Sequence, residues 1–210
     1  MIKVGYIDDV LDQVENYERK LRRFQIELIP FEVGTQKADY IEQIYKNQVE
    51  VLLIDYKMAS TIGFNGSALI SYINDEIPDM TCFILTSAER THITDKLVID
   101  NQIYSKEIFD TEADDPDRME QFQKFVEQLK NCAEVYQSRR ELKCKEYEEL
   151  LDKKKSRVLS VPEEEEFCRL YHALSSYGMV EKLSDTALQS DFEQKLDDLL
   201  QLGNMILQKE

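Results

Sequence analysis

Ile2, Val4 and Tyr6 alternate with Lys3, Gly5 and Ile7, a period of two that predicts a strand and runs directly into Asp8 and Asp9. Beyond it, Val10, Leu11, Val14, Tyr17, Leu21 and Phe24 recur at three and four, the spacing of an amphipathic helix over residues 10–24. QIELIPFEV (25–33) is a second strand, in which Pro30 predicts an edge position or an irregularity. Tyr40, Ile41, Ile44 and Tyr45 place a helix over 38–47. VEVLLIDYKM (49–58) contains the densest apolar run, residues 51–54, which suits a strand buried on both faces and ends on Asp55. A loop with Gly63 and Gly66 leads to a helix over 67–76 that stops before Pro78. MTCFILTSAE (80–89) is a fourth strand, ending at Thr86 and Ser87; a helix follows over 91–100, and QIYSKEIF (102–109) holds a fifth short strand ending near Lys106. Strands that alternate with helices in this way imply a parallel sheet, because parallel neighbours require crossover connections.

From TEADDPDRME onward the pattern is helical to the end, with Pro116 at a first helical position behind Asp114 or Asp115 as cap. The chain therefore divides into an α/β domain at 1–115 and an all-α region at 116–210. That region has a long helix over about 116–156 and further helices over about 162–177 and 190–208. Phe122, Val126, Leu129, Ala133, Tyr136, Tyr147 and Leu150 follow a coiled-coil-like heptad seam, interrupted at Arg140 and Lys143. A helix of that length, on the order of 60 Å at 1.5 Å per residue, exceeds what a small α/β domain covers. It must meet another helix, from its own chain or from a second copy.

Charge narrows the choice of partner. The 210 residues carry a net charge of −16, which speaks against general affinity for nucleic acid. The one basic stretch, RRELKCKEYEELLDKKKSR (139–157), mixes eight basic residues with five acidic ones, as a solvated helix face with pairs such as Glu149 and Lys153 does. No run of about 18 apolar residues suggests a membrane span, and a strand-like start without a basic, apolar leader points to the cytoplasm. Cys82, Cys132, Cys144 and Cys168 show neither a CxxC pair nor zinc-ligand spacing and are read as packing thiols. His92 and His172 lack partners at ligand or nucleophile spacing, and His172 is read as a helix-face residue rather than a phosphate carrier.

Taken singly, Asp8 and Asp9 are helix caps, Asp55 a turn residue, Thr86 another cap and Lys106 a surface lysine. Jointly they fall at the carboxyl ends of strands one, three, four and five, which converge on one pocket in a doubly wound sheet. Three converging carboxylates repel unless a cation lies between them, and an oxygen-only donor set suits Mg²⁺. A carboxylate beside a bound divalent ion can accept a phosphoryl group, and a hydroxyl and an ammonium are suitable partners for its new oxygens.

In this ordered set, VGYIDDV, VLLIDYKM, CFILTSAE and IYSKEIF, the chain resembles the receiver domain of two-component response regulators. The intervals fit as well: 46 or 47 residues from the acidic pair to Asp55, 31 to Thr86 and 20 more to Lys106. The resemblance, over about residues 1–125, implies a flavodoxin-like five-stranded sheet of order 2-1-3-4-5. It implies that Asp55 accepts phosphate from a histidine kinase or phosphotransfer protein. Asp8, Asp9, Asp55 and the backbone carbonyl of Lys57 would hold Mg²⁺, while Thr86 and Lys106 contact the phosphoryl group. Such a domain is a phosphoacceptor rather than an enzyme acting on a separate substrate.

The sequence departs from the family in four places. Glu107 replaces the family's cis proline after the lysine, and Ala59 its proline four residues past the acceptor; the segment before FNG (64–66) is about three residues longer, and Ile103, with Tyr104 beside it, stands at the aromatic switch position. The expected function is phosphorylation-dependent signalling with output through a downstream protein or homodimerisation of the C-terminal helices. The alternative is a non-enzymatic adaptor that uses the receiver fold as a docking module in a multiprotein bacterial complex. An aspartyl-phosphate hydrolase would carry a second acid two residues past the acceptor, where this chain has Lys57.

Overall fold

Five short strands, β1 (Ile2–Ile7), β2 (Ile26–Pro30), β3 (Val51–Ile54), β4 (Thr81–Thr86) and β5 (Ile103–Ser105), form one parallel sheet in the order β2-β1-β3-β4-β5. This is the doubly wound, flavodoxin-like arrangement expected from the sequence. The computed structural model describes residues 1–87, 93, 97–111 and 115–183. Most of the helix expected over 91–100, Asp114 and the last helix expected over 190–208 lie outside the described residues.

The chain falls into two compact units, Met1–Arg139 and Arg140–Glu210. In the first, side chains alternate across the sheet with period two. Val4 and Tyr6 of β1, Val51 and Leu53 of β3, and Phe83 and Leu85 of β4 are buried in one cluster with Tyr17 and Leu21 of α1 (Val14–Arg22). Phe122, Phe125, Val126, Leu129 and Ala133 of α5 (Pro116–Ser156) complete that cluster. The first half of the heptad seam is thus consumed by the α/β core. Further along α5, the Gln137 amide donates to Glu50, and Arg139 reaches Asp79 at 2.9 Å. α2 (Lys37–Asn47) and α4 (Gly66–Glu76) contact each other, and α4 also packs on β4. All four β3 residues are fully buried, as their unbroken apolar run requires.

Two local differences from the sequence pattern, and the expected edge position of Pro30, have physical causes. α1 begins at Val14 rather than at residue 10, because the Asp8 carboxylate accepts from the Val10 N–H (3.0 Å) and folds residues 8–10 into an Asx turn. Val10 and Leu11 are consequently exposed. Pro30 closes β2, the sheet's edge strand, where a missing donor is tolerated. Residues 59–62, expected as loop, form a one-turn helix, α3 (Ala59–Ile62), terminated by Gly63 at φ +82°. At such a φ glycine carries no Cβ penalty.

The described residues of the second unit, 140–183, form a helical hairpin. The end of α5 and α6 (Val161–Ser176) are joined by residues 157–160, too short a link for anything but an antiparallel pair. Leu150, Leu159, Phe167 and Leu170 form its core, with Tyr147 stacked on Phe167 at 4.9 Å. Ser160 and Glu163 make a capping box at the start of α6, and Arg157 clamps Glu163 through two hydrogen bonds of 2.7 and 2.8 Å. These contacts hold the Glu163 carboxyl below the usual carboxylate range. Lys153, expected to pair with Glu149, lies instead 3.7 Å from Glu163. The long helix therefore does meet a helix of its own chain.

Candidate functional site

The strand ladder itself assembles the site. Ile7 pairs with Ile54, so Asp8 and Asp55 each stand one step beyond a matched position on neighbouring strands. The Asp55 N–H continues that ladder to the Ile7 carbonyl at 2.8 Å. Ile54 pairs with Ile84, and Thr86 with Ser105, so Thr86 closes β4 and Lys106 immediately follows β5. Asp8, Asp55 and Thr86 are at most 5% exposed, whereas Asp9 is half-buried. Water therefore does little to screen the charges on the first two.

Lys106 is the hub. Its Nζ lies 2.6 Å from Asp8 Oδ2 and 3.1 Å from Asp55 Oδ1. Burial pulls its pKa down, but the hydrogen bond to Asp8 and the charges of Asp55 and Asp8 more than offset this, holding the ammonium above the ordinary lysine value. Asp8 also accepts from Val10 N–H on Oδ1 and from the buried Tyr6 hydroxyl on Oδ2. Burial, and then Asp8, push the Tyr6 phenol far above its ordinary pKa. Asp55 Oδ2 accepts the Lys57 N–H at 2.6 Å, and Asp9 accepts the Thr61 hydroxyl from α3. One carboxylate oxygen from each of Asp8, Asp9 and Asp55 can lie within 4.8 Å of the others. Such a set, oxygen-only and anionic, fits a hard divalent cation and offers nothing to a thiophilic one.

The lysine loop departs from the proline geometry. The Lys106–Glu107 peptide is trans, and residues Lys106–Phe109 form a 3-10 turn capped by Ser105. The Glu107 N–H donates to Ser105 Oγ at 3.2 Å, a bond that proline could not make. Lys106 reaches both acids from this turn. Ile103 is buried at the switch position, and Tyr104 turns to α5, its hydroxyl donating to Gln128 and its ring 4.7 Å from that of Phe125.

Two features of the site have only partial sequence signals. Tyr6 shares the period-two face of Asp8, so the strand alternation itself brings hydroxyl and carboxylate together. Gly66 starts α4 directly against Asp55: its N–H donates to the Tyr56 carbonyl at 3.0 Å, and a Cβ there would lie 2.1 Å from the Asp55 carbonyl oxygen. Thr61 has no such signal, since it lies 52 residues from Asp9 and on a single turn too short to show periodicity.

The structure is similar to that of a response regulator receiver domain protein from Clostridium thermocellum, with 17% identity, 64% of this chain and 95% of that chain covered, and a TM-score of 0.45. It is also similar to the response regulator TrrA from Thermotoga maritima, solved in complex with Mg²⁺-BeF, with 15% identity, coverage of 60% and 99%, and a TM-score of 0.42. Both are response regulators. No protein-family model matches the sequence, and no curated protein matches it.

Proposed function

We propose that this chain is a phosphorylation-dependent signalling protein whose first unit accepts a phosphoryl group on Asp55. The observation that carries the reading is Lys106 bridging Asp8 and Asp55, with Asp9 beside them and Thr86 closing the adjacent strand. A carboxylate oxygen of Asp55 attacks the phosphorus of a phosphohistidine on a kinase or phosphotransfer protein. The P–N bond breaks as the acyl-phosphate P–O bond forms, and the imidazole leaves. Asp8, Asp9, Asp55 and the Lys57 carbonyl would hold Mg²⁺, which would supply charge neutralisation for the transferring group. Lys106 turns from Asp55 to a new phosphoryl oxygen, and the Thr86 hydroxyl donates to another. The chain turns over no separate substrate.

Output passes through the helical region, by binding a downstream protein or by pairing with a second copy. The acyl phosphate carries nearly −2 where the carboxylate carried −1, and the altered charge and shape bias whichever state best accommodates them. No helix among the described residues is long and apolar enough to cross a membrane. The test is beryllofluoride with Mg²⁺, followed by amide chemical shifts and light scattering on wild type and Asp55→Ala. A response confined to wild type is expected; equal responses would sink the assignment. The alternative, a docking module that is never phosphorylated, draws on the fact that each of the three acids already has a donor from its own chain. It predicts partner binding indifferent to Asp55→Ala.

A further inference from the structure

We infer that two hydroxyls of this chain, Tyr6 on Asp8 and Thr61 on Asp9, act as built-in competitors for the divalent cation and set how weakly the acidic trio binds it. The inference rests on reading that trio as a cation site. It concerns two side chains that the chemistry of the phosphoryl step does not use.

The geometry is specific. Tyr6 is 1% exposed, and its hydroxyl donates to Asp8 Oδ2, the same oxygen that Lys106 holds at 2.6 Å. Asp8 does not need Tyr6 for orientation, because Val10 N–H fixes Oδ1 and Lys106 fixes Oδ2. The phenol is therefore a surplus donor on a carboxylate already fixed in place. Thr61 comes from α3, which occupies the stretch where the chain is longer than the receiver pattern, and reaches across 52 positions to Asp9. With Lys57 N–H on Asp55, every carboxylate of the trio is satisfied internally.

A hydrogen bond that stabilises a carboxylate in the metal-free site lowers its charge density and occupies a lone-pair direction. A cation must displace that donor or share the oxygen with it. Removing the donor raises the free energy of the metal-free site more than that of the loaded one, so affinity rises. The opposite sign would follow if the hydroxyls served to aim the carboxylates at the ion.

The size of the effect follows from burial. Net hydrogen-bond contributions correspond to roughly three- to ten-fold in affinity. Exposed Thr61 belongs near the lower figure and buried Tyr6 near the upper one.

The experiment titrates the full-length protein with Mn²⁺, counting free ion by electron paramagnetic resonance, with Asp55→Ala confirming that the bound ion occupies this site. Thr61→Val is expected to bind about three-fold tighter than wild type, with Thr61→Ser at the wild-type value, and Tyr6→Phe up to about ten-fold tighter. Thr61 is exposed, so Thr61→Val decides the matter even if Tyr6→Phe does not fold. Unchanged or weaker binding by Thr61→Val overturns the inference and leaves the proposed function standing. A wild type that binds no Mn²⁺ overturns both the inference and the metal part of that function. Loss of the beryllofluoride response with intact Mn²⁺ binding overturns the phosphoacceptor assignment alone.

Discussion

Gly66→Ala tests how tightly Asp55, the proposed acceptor, is built into the fold. An alanine at the first position of a helix ordinarily helps, because it costs less backbone entropy than glycine. Here the added Cβ would stand 2.1 Å from the Asp55 carbonyl oxygen and 3.0 Å from its carbonyl carbon. Ordinary contact begins at 3.4 Å, so α4 or Asp55 must retreat by about 1.3 Å. The obstruction is backbone, and Asp55 is tied on its other side to the Ile7 carbonyl at 2.8 Å, so no flexible side chain can absorb the shift. Overpacking of this kind costs about 1–3 kcal/mol. Withdrawal of the Gly66 N–H from the Tyr56 carbonyl, now 3.0 Å away, adds about 1 kcal/mol. At about 2–4 kcal/mol in total, the melting temperature should fall by roughly 4–16 °C. A displacement near 1 Å at the acceptor should also slow acetyl-phosphate-driven phosphorylation by on the order of 10²-fold. Thermal denaturation and a phosphorylation time course on the same preparation read both effects. A variant that melts at or above the wild-type temperature and phosphorylates normally would show that helix propensity outweighs the clash and that the approach of α4 to Asp55 is slack.

Two further substitutions probe the charge hub and the hairpin. Lys106→Met strands Asp8 and Asp55, whose side chains are 1% and 7% exposed, and should cost about 3–5 kcal/mol at neutral pH in urea denaturation. The Lys106 pKa is raised in the fold, so its contribution is fully present below the unfolded lysine value of about 10.4 and is lost as pH rises through the folded value. The gap between wild type and Lys106→Met should therefore narrow only above about pH 10.4; a gap that closes between pH 6 and 9 would contradict the lysine's role. Phe167→Ala removes a side chain that is 5% exposed and stacked on Tyr147, at a cost of about 3–5 kcal/mol to the hairpin. Limited proteolysis should then cut within 140–176 while leaving the sheet protected, and an unchanged digestion pattern would remove Phe167 from the core.

The sheet was legible because its signals are local and repeated. The buried run of β3, the alternation of β1 and the polar residue at the ends of β1, β3, β4 and β5 are each written within one short segment. Once strands in this order are parallel, their ladder brings Asp8, Asp55, Thr86 and Lys106 to one end without further information. What the pattern missed depends on groups far apart in sequence or on side chains that compete with the backbone. Val10 and Leu11 have helical spacing, yet Asp8 takes the Val10 N–H and postpones the helix to Val14. The heptad seam resumes in sequence after its break at Arg140 and Lys143, but its first half lies against the sheet and Tyr147 and Leu150 lie against α6. Periodicity records which face of a helix is apolar, not what covers it.

The lysine loop shows the same limit from the other direction. Judged by sequence, Glu107 is a departure from the receiver pattern's proline that leaves the loop geometry and the position of Lys106 open. In the structure the replacement supplies a donor that proline lacks, and Ser105, two residues earlier, supplies the acceptor, so a capped 3-10 turn delivers the ammonium to Asp8 and Asp55. What the site requires at this point is the position of one nitrogen atom. A rigid ring is one way to fix it, and a serine cap on the following amide is another. The serine and the glutamate are adjacent to Lys106 on either side, so the substitution for proline is best read as one half of a pair rather than as the loss of a site residue.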